Sequence, residues 1–168
     1  MTRTTGRGLK QFMAGAMALL MLSGVAAFAV ADEPVAKVVY HVDFADPDRL
    51  GATLVSINNM VNTYQESLME YDVRIVFLGE GIRFLTDDPL KGTPFAEDEK
   101  LKAQKKVLME RLTSAREVQD VKLELCNITL TSVNLSQKKL LPGITLVPSG
   151  VVRLAELQSK GFAYLKMQ

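Results

Sequence analysis

The 168-residue chain holds one cysteine, Cys126, and one histidine, His41. Cys126 ends the apolar run Val121 to Cys126 (VKLELC), where a predicted strand gives way to a helix. A thiol at such a junction feels the positive end of the helix dipole and nearby free N–H groups. Both favour the thiolate, the form that attacks sulfur and other electrophiles. His41 closes another predicted strand, and an imidazole can deprotonate a thiol or hold it as an ion pair. Cys126 and His41 are therefore the candidate catalytic residues. Each has a plainer alternative. A lone cysteine beside Leu125 can be a small buried hydrophobe, and a lone histidine in an apolar strand can be a satisfied core or rim residue.

Other chemistries are poorly served. One Cys and one His fall short of a structural or catalytic metal set, and Met60, Met69 and Met109 read as core fillers on helices. No metal is expected. The Gly79-Glu80-Gly81 pair lacks the third glycine of a dinucleotide fingerprint, and no P-loop, zinc-protease motif or Gly-x-Ser-x-Gly elbow occurs. No organic cofactor is expected either. At Pro148-Ser149-Gly150 a glycine lets the backbone approach a ligand, and the following helix offers free N–H groups. Asn127, Ser149 and Gly150 are the candidate anion- or substrate-binding residues. The alternative for this turn is a plain helix cap.

These residues need elements to position them. Ala36 to Val42 (AKVVYHV) and Val73 to Leu78 (VRIVFL) read as buried strands, as do Val121 to Cys126 and Ile144 to Val147. Phe162 to Leu165 reads as a last short strand. Asp46-Pro47 starts a helix with Asp as cap and Pro at its first position. Leu50, Leu54, Ile57, Val61, Tyr64 and Leu68 then make one apolar face as far as about Met69. A second helix runs from Glu97 to about Val118. A short helix or turn spans Asn127 to about Leu140. A last helix is capped by Ser149 and stopped by Gly161. Strand and helix alternate throughout, which predicts an α/β fold with a mostly parallel five-stranded sheet covered on both faces. Right-handed crossovers put every strand-to-helix loop at one sheet edge, where ligands bind in such folds. His41, Gly79, Cys126 and Ser149 all fall on that rim. The long connection from Gly79 to about Pro94 holds Ile82, Phe84 and Leu85, too apolar to be free in water and expected to pack as a short helical turn; the segment Ile82 to Leu85 is also one that a monomer is expected to struggle to cover, which points to a second subunit.

Residues 1–31 read as a cleaved secretory signal. Arg3, Arg7 and Lys10 precede an apolar stretch from Phe12 to about Phe28, which ends in Ala29-Val30-Ala31. Cleavage leaves residues 32–168, a single domain with 17 basic and 19 acidic residues. This balance gives no reason to expect nucleic-acid binding. No membrane association is expected once the signal is removed.

The stretches KVVYHVDF, VRIVFLGEGIRFL, VKLELCNITL and ITLVPSGVVRLAELQSKGFAYLK resemble the DsrE-like (DsrE/DsrF-like) family, in its exported branch of small proteins. The resemblance implies a three-layer α/β/α sandwich and homo-oligomers, with trimers and hexamers known. It also implies sulfur carried as a persulfide on a cysteine after a central strand, a place that Cys126 matches; it assigns nothing to His41. The chain departs from cytoplasmic relay members in being exported, away from their partners and reductants. Two functions follow. One is a periplasmic sulfur handler that uses Cys126 and meets small sulfur species or a relay protein. The other is an oligomeric module binding a small anion or partner protein, with Cys126 as packing. A buried thiol far from any cation favours the second.

Overall fold

The computed structural model describes residues 35–167; the expected signal segment lies outside them. The element order is β1 (Ala36–Val42), α1 (Pro47–Glu66), β2 (Tyr71–Phe77), a 3₁₀ segment (Gly79–Phe84), α2 (Glu99–Gln119), β3 (Lys122–Cys126), α3 (Asn127–Ser132), a second 3₁₀ turn (Gln137–Lys139), β4 (Thr145–Val147), α4 (Gly150–Ser159) and β5 (Ala163–Leu165). The strands form one sheet in the order β4-β3-β2-β1-β5, and every neighbouring pair is parallel. Among the described residues no helix is long and apolar enough to cross a membrane.

Local signals set the helix ends. Asp46 caps α1 by accepting from the Asp48 N–H, with Pro47 at the first position. Asp98 caps α2 through the Leu101 N–H, and Ser149 caps α4 through the Val152 N–H. Gly161, at φ +85°, supplies the left-handed residue after α4. The first helix ends three residues earlier than its apolar spacing predicts. Leu68 lies beyond it at φ +53° and is 91% exposed, so it does not join the helix's buried face.

Strand alternation divides the core in two. Val38, Tyr40 and Val42, with Val73, Ile75 and Phe77 and with Leu123 and Leu125, face α1, α2 and α3. Each such aliphatic side chain, fully buried, contributes about 1.5–3 kcal/mol relative to exposure. Val39 and Val76 face the other way, against Leu154 and Leu157 of α4 and Phe162. Among the described residues, one face thus carries three helices and the other carries α4 alone.

The segment Ile82 to Leu85 corrects an expectation. Its side chains are buried within the monomer, with Phe84 packed edge-on against Phe44. Arg83 turns inward to Asp98 at 2.6 Å. A second subunit is not needed to cover it.

Candidate functional site

Cys126 is the last residue of β3 and the N-cap residue of α3. Its side chain points to the α4 face, because its neighbour Leu125 points to the other. It is only 6% exposed. The thiol makes no cap hydrogen bond of ordinary geometry. Burial pushes its pKa up, but nearby donors outweigh burial and hold it below the ordinary thiol value. These are the Gly150 N–H, the Thr129 N–H and hydroxyl, and the Ile128 N–H. Each stabilises an anion more than a neutral thiol.

Two further details build this surround. Thr129 is buried, and its Oγ1 accepts the Gly79 N–H at 2.9 Å. That bond occupies the hydroxyl as an acceptor. Gly150 approaches so closely that a methyl group there would overlap Leu78 Cδ2 and lie 3.1 Å from Cys126 Cβ. A side chain here would have to displace Leu78 and crowd the cysteine, so glycine lets the α4 backbone approach with both in place.

The topology explains the meeting. Cys126 pairs in register with Val147, the last residue of β4. The chain leaves β3 towards the three-helix face and leaves β4 towards α4. The crevice between two such diverging exits is where open α/β sheets bind ligands. Asn127 opens α3 beside the cysteine, and its carbonyl accepts the Thr131 hydroxyl. Ser149 spends its hydroxyl on the α4 cap. A cavity of about 230 Å³ opens alongside, lined by Val147, Pro148, Ser149 and Val152 among others. A larger groove, about 520 Å³, runs along α2 by Lys105, Met109 and Leu141; it is lined by neither cysteine nor histidine.

His41 does not join Cys126. It lies on β1 opposite Val76 of β2, which lies opposite Glu124 of β3. Two strand spacings and two residues of rise separate the Cα atoms of His41 and Cys126 by roughly 12 Å. The imidazole Nδ1 instead meets the Tyr164 hydroxyl at 2.8 Å, and its Nε2 is 3.6 Å from Asp43. Asp43 is itself held by Lys166 at 2.7 Å. Burial lowers the His41 pKa; the Asp43 charge raises it and the Lys166 charge lowers it. The expected Cys–His pair is therefore replaced by a separate cluster on β1 and β5.

An ion network beside the thiol was not anticipated from the sequence. Glu124, two residues before Cys126 on the same face, is 2% exposed. Its carboxylate accepts two bonds from Arg153 of α4, at 2.6 and 2.8 Å, and one from Arg74 of β2, at 2.8 Å. Arg74 is also bidentate to Asp72. Burial pushes the Glu124 pKa up, but the two arginines more than reverse this. The network ties α4, and so Gly150, to the strand that carries the cysteine. The only signal in the sequence is a carboxylate inside an apolar strand with an arginine inside the strand before it. Among the described residues no group of three or more His, Cys, Asp or Glu side chains is placed to hold a metal.

A family model for the DsrE/DsrF-like family matches residues 35–167. The chain belongs to the DsrE/DsrF-like family. That family is linked in general to sulfur metabolism. A solved structure from Methanobacterium thermoautotrophicum, a protein of unknown function named MTH1491, aligns over 78% of this chain and 98% of its own. Its TM-score is 0.59 at 21% identity, a likeness of fold. The ychN protein from E. coli covers 79% of this chain and 100% of its own, at 19% identity and a TM-score of 0.46. No curated protein matches the chain. For this DsrE/DsrF-like protein the α/β expectation holds: five parallel strands between two helical layers.

Proposed function

We propose that this DsrE/DsrF-like protein carries sulfane sulfur as a persulfide on Cys126. The supporting observation is the gathering of three N–H groups and one hydroxyl around a single thiol whose pKa they depress. Two of the amides are the first-turn N–H groups of α3, and the third is brought by α4 from across the sheet. The thiol first loses its proton to solvent. The thiolate then attacks the terminal sulfur of a hydropolysulfide, HS–Sₙ⁻. A Cys126 S–S bond forms as the terminal S–S bond breaks, and the polysulfide, one sulfur shorter, leaves with the electron pair. No oxidant or reductant is consumed. An acceptor thiolate reverses the exchange by attacking the outer sulfur, with Cys126 thiolate as leaving group. A lowered pKa makes it leave faster.

The setting is part of the proposal: the protein works in the periplasm after signal cleavage, as a homo-oligomer, with small sulfur species or a relay protein as partner. His41 takes no part. Two observations favour the alternative, a non-enzymatic binding module. Cys126 is 6% exposed, and none of the causes of its pKa shift is a cation.

Native and intact-mass spectrometry of the exported protein separates the two. After polysulfide treatment the sulfur carrier gains about 32 mass units, removable by dithiothreitol, and Cys126→Ser gains none. The same spectra should show a chain beginning at Asp32 and more than one subunit. A folded protein that takes no adduct, and whose thiol reacts only after denaturation, refutes the carrier and leaves the module.

A further inference from the structure

A thiol that must react is buried, and one apolar side chain, Leu78, borders it. Leu78 follows β2 directly and lies on the α4 face, packed against the cluster of Val76, Leu154 and Leu157. Its Cδ2 occupies the space that a side chain at residue 150 would fill, the same space bordered by Cys126 Cβ. Leu78 is itself partly exposed, whereas Cys126 is buried. Of the two neighbours, Leu78 is the one nearer solvent.

The backbone beneath Leu78 is held on both sides. Its own N–H donates to the Val42 carbonyl at 3.0 Å. The next N–H, from Gly79, donates to Thr129 Oγ1 at 2.9 Å. With the chain pinned at two successive amides, Leu78 moves by rotation of its side chain and not by loop movement.

We propose that Leu78 is the gate of Cys126 and the specificity-determining residue of the site. It admits an unbranched chain of divalent sulfur atoms and turns away branched or aromatic electrophiles. The inference rests on the persulfide reading for its substrate, but the gate itself is tested without it. The purified protein is alkylated at neutral pH with iodoacetamide, a thin reagent, and separately with 5,5′-dithiobis(2-nitrobenzoate), an aromatic one. In the wild type the thin reagent reacts far faster relative to free cysteine than the aromatic one does. Leu78→Ala should raise the aromatic rate by roughly tenfold more than the iodoacetamide rate. Leu78→Val, which keeps a branched apolar side chain, should fall between and serves if the alanine variant does not fold. Leu78→Met, which keeps volume, should stay near the wild type. Equal acceleration of both reagents, or none, in a folded variant overturns the gate. A selective gain in a protein that takes no sulfur from polysulfide keeps the gate and rejects the carrier.

Discussion

Replacing Glu124 with glutamine tests whether the buried ion network holds the site together. The substitution keeps shape and removes one charge. Two arginines lose their shared carboxylate, which now sits at 2.6 to 2.8 Å from three of their nitrogens. Removing one partner of a buried ion pair costs about 3–5 kcal/mol. Both arginines are about one-fifth exposed, and each keeps a second carboxylate, Asp72 at 2.6 Å and Glu156 at 3.7 Å. The lower end of the range applies, about 3 kcal/mol, which lowers the melting temperature by roughly 10 °C in a domain of this size. The pH dependence adds a second measurement. The Glu124 pKa is lowered in the folded state, so its contribution is complete above the unfolded carboxylate value and fades as pH falls through the folded one. Urea titrations between neutral and acid pH should show a large deficit for Glu124→Gln at pH 7 that shrinks on acidification. A loss below about 1 kcal/mol at pH 7, the size of an exposed pair, would refute the argument.

Two further substitutions address the thiol. Thr129→Val removes the hydroxyl that faces Cys126 and should slow alkylation at pH 7 roughly tenfold by raising the thiol pKa, with Thr129→Ser restoring it. A wild-type pH–rate profile in the valine variant would show that the hydroxyl does not reach the sulfur. His41→Ala should leave the pH–rate profile of Cys126 unmoved, because its contacts are with Tyr164 and Asp43; a displaced midpoint would restore the Cys–His pair.

The elements were legible because their periods are. Leu50, Leu54, Ile57 and Val61 repeat at helical spacing and are all buried, and the five runs that read as strands are strands. Strand order was not legible, because periodicity says which way a side chain points and nothing about which strand lies beside it. That gap accounts for the misplaced His41. Sharing a rim is weak evidence of contact when five strands make that rim about 19 Å wide. The apolar character of Ile82 to Leu85 told truly that they are buried, but not that the same chain buries them. Glu124 was hidden for a related reason: its partners come from β2 and α4, and only the fold brings them together.

The same order of strands makes the site. Three successive moves in one direction across the sheet place α1, α2 and α3 on one face. The single return from β4 to β5, on the far side of β1, places α4 on the other. Among the described residues, diverging exits occur only between β3 and β4, where the cysteine meets a glycine that opens α4. Had α4 packed with the other helices, Gly150 would stand on the wrong face of the sheet for Cys126. The thiol would keep the two amides of its own short helix and lose the third. Glu124 would lose Arg153 in the same stroke, leaving a buried carboxylate on Arg74 alone. The donor set and the ion network are thus two consequences of one topological return, which is why the residues that stabilise α4 also govern the chemistry of Cys126.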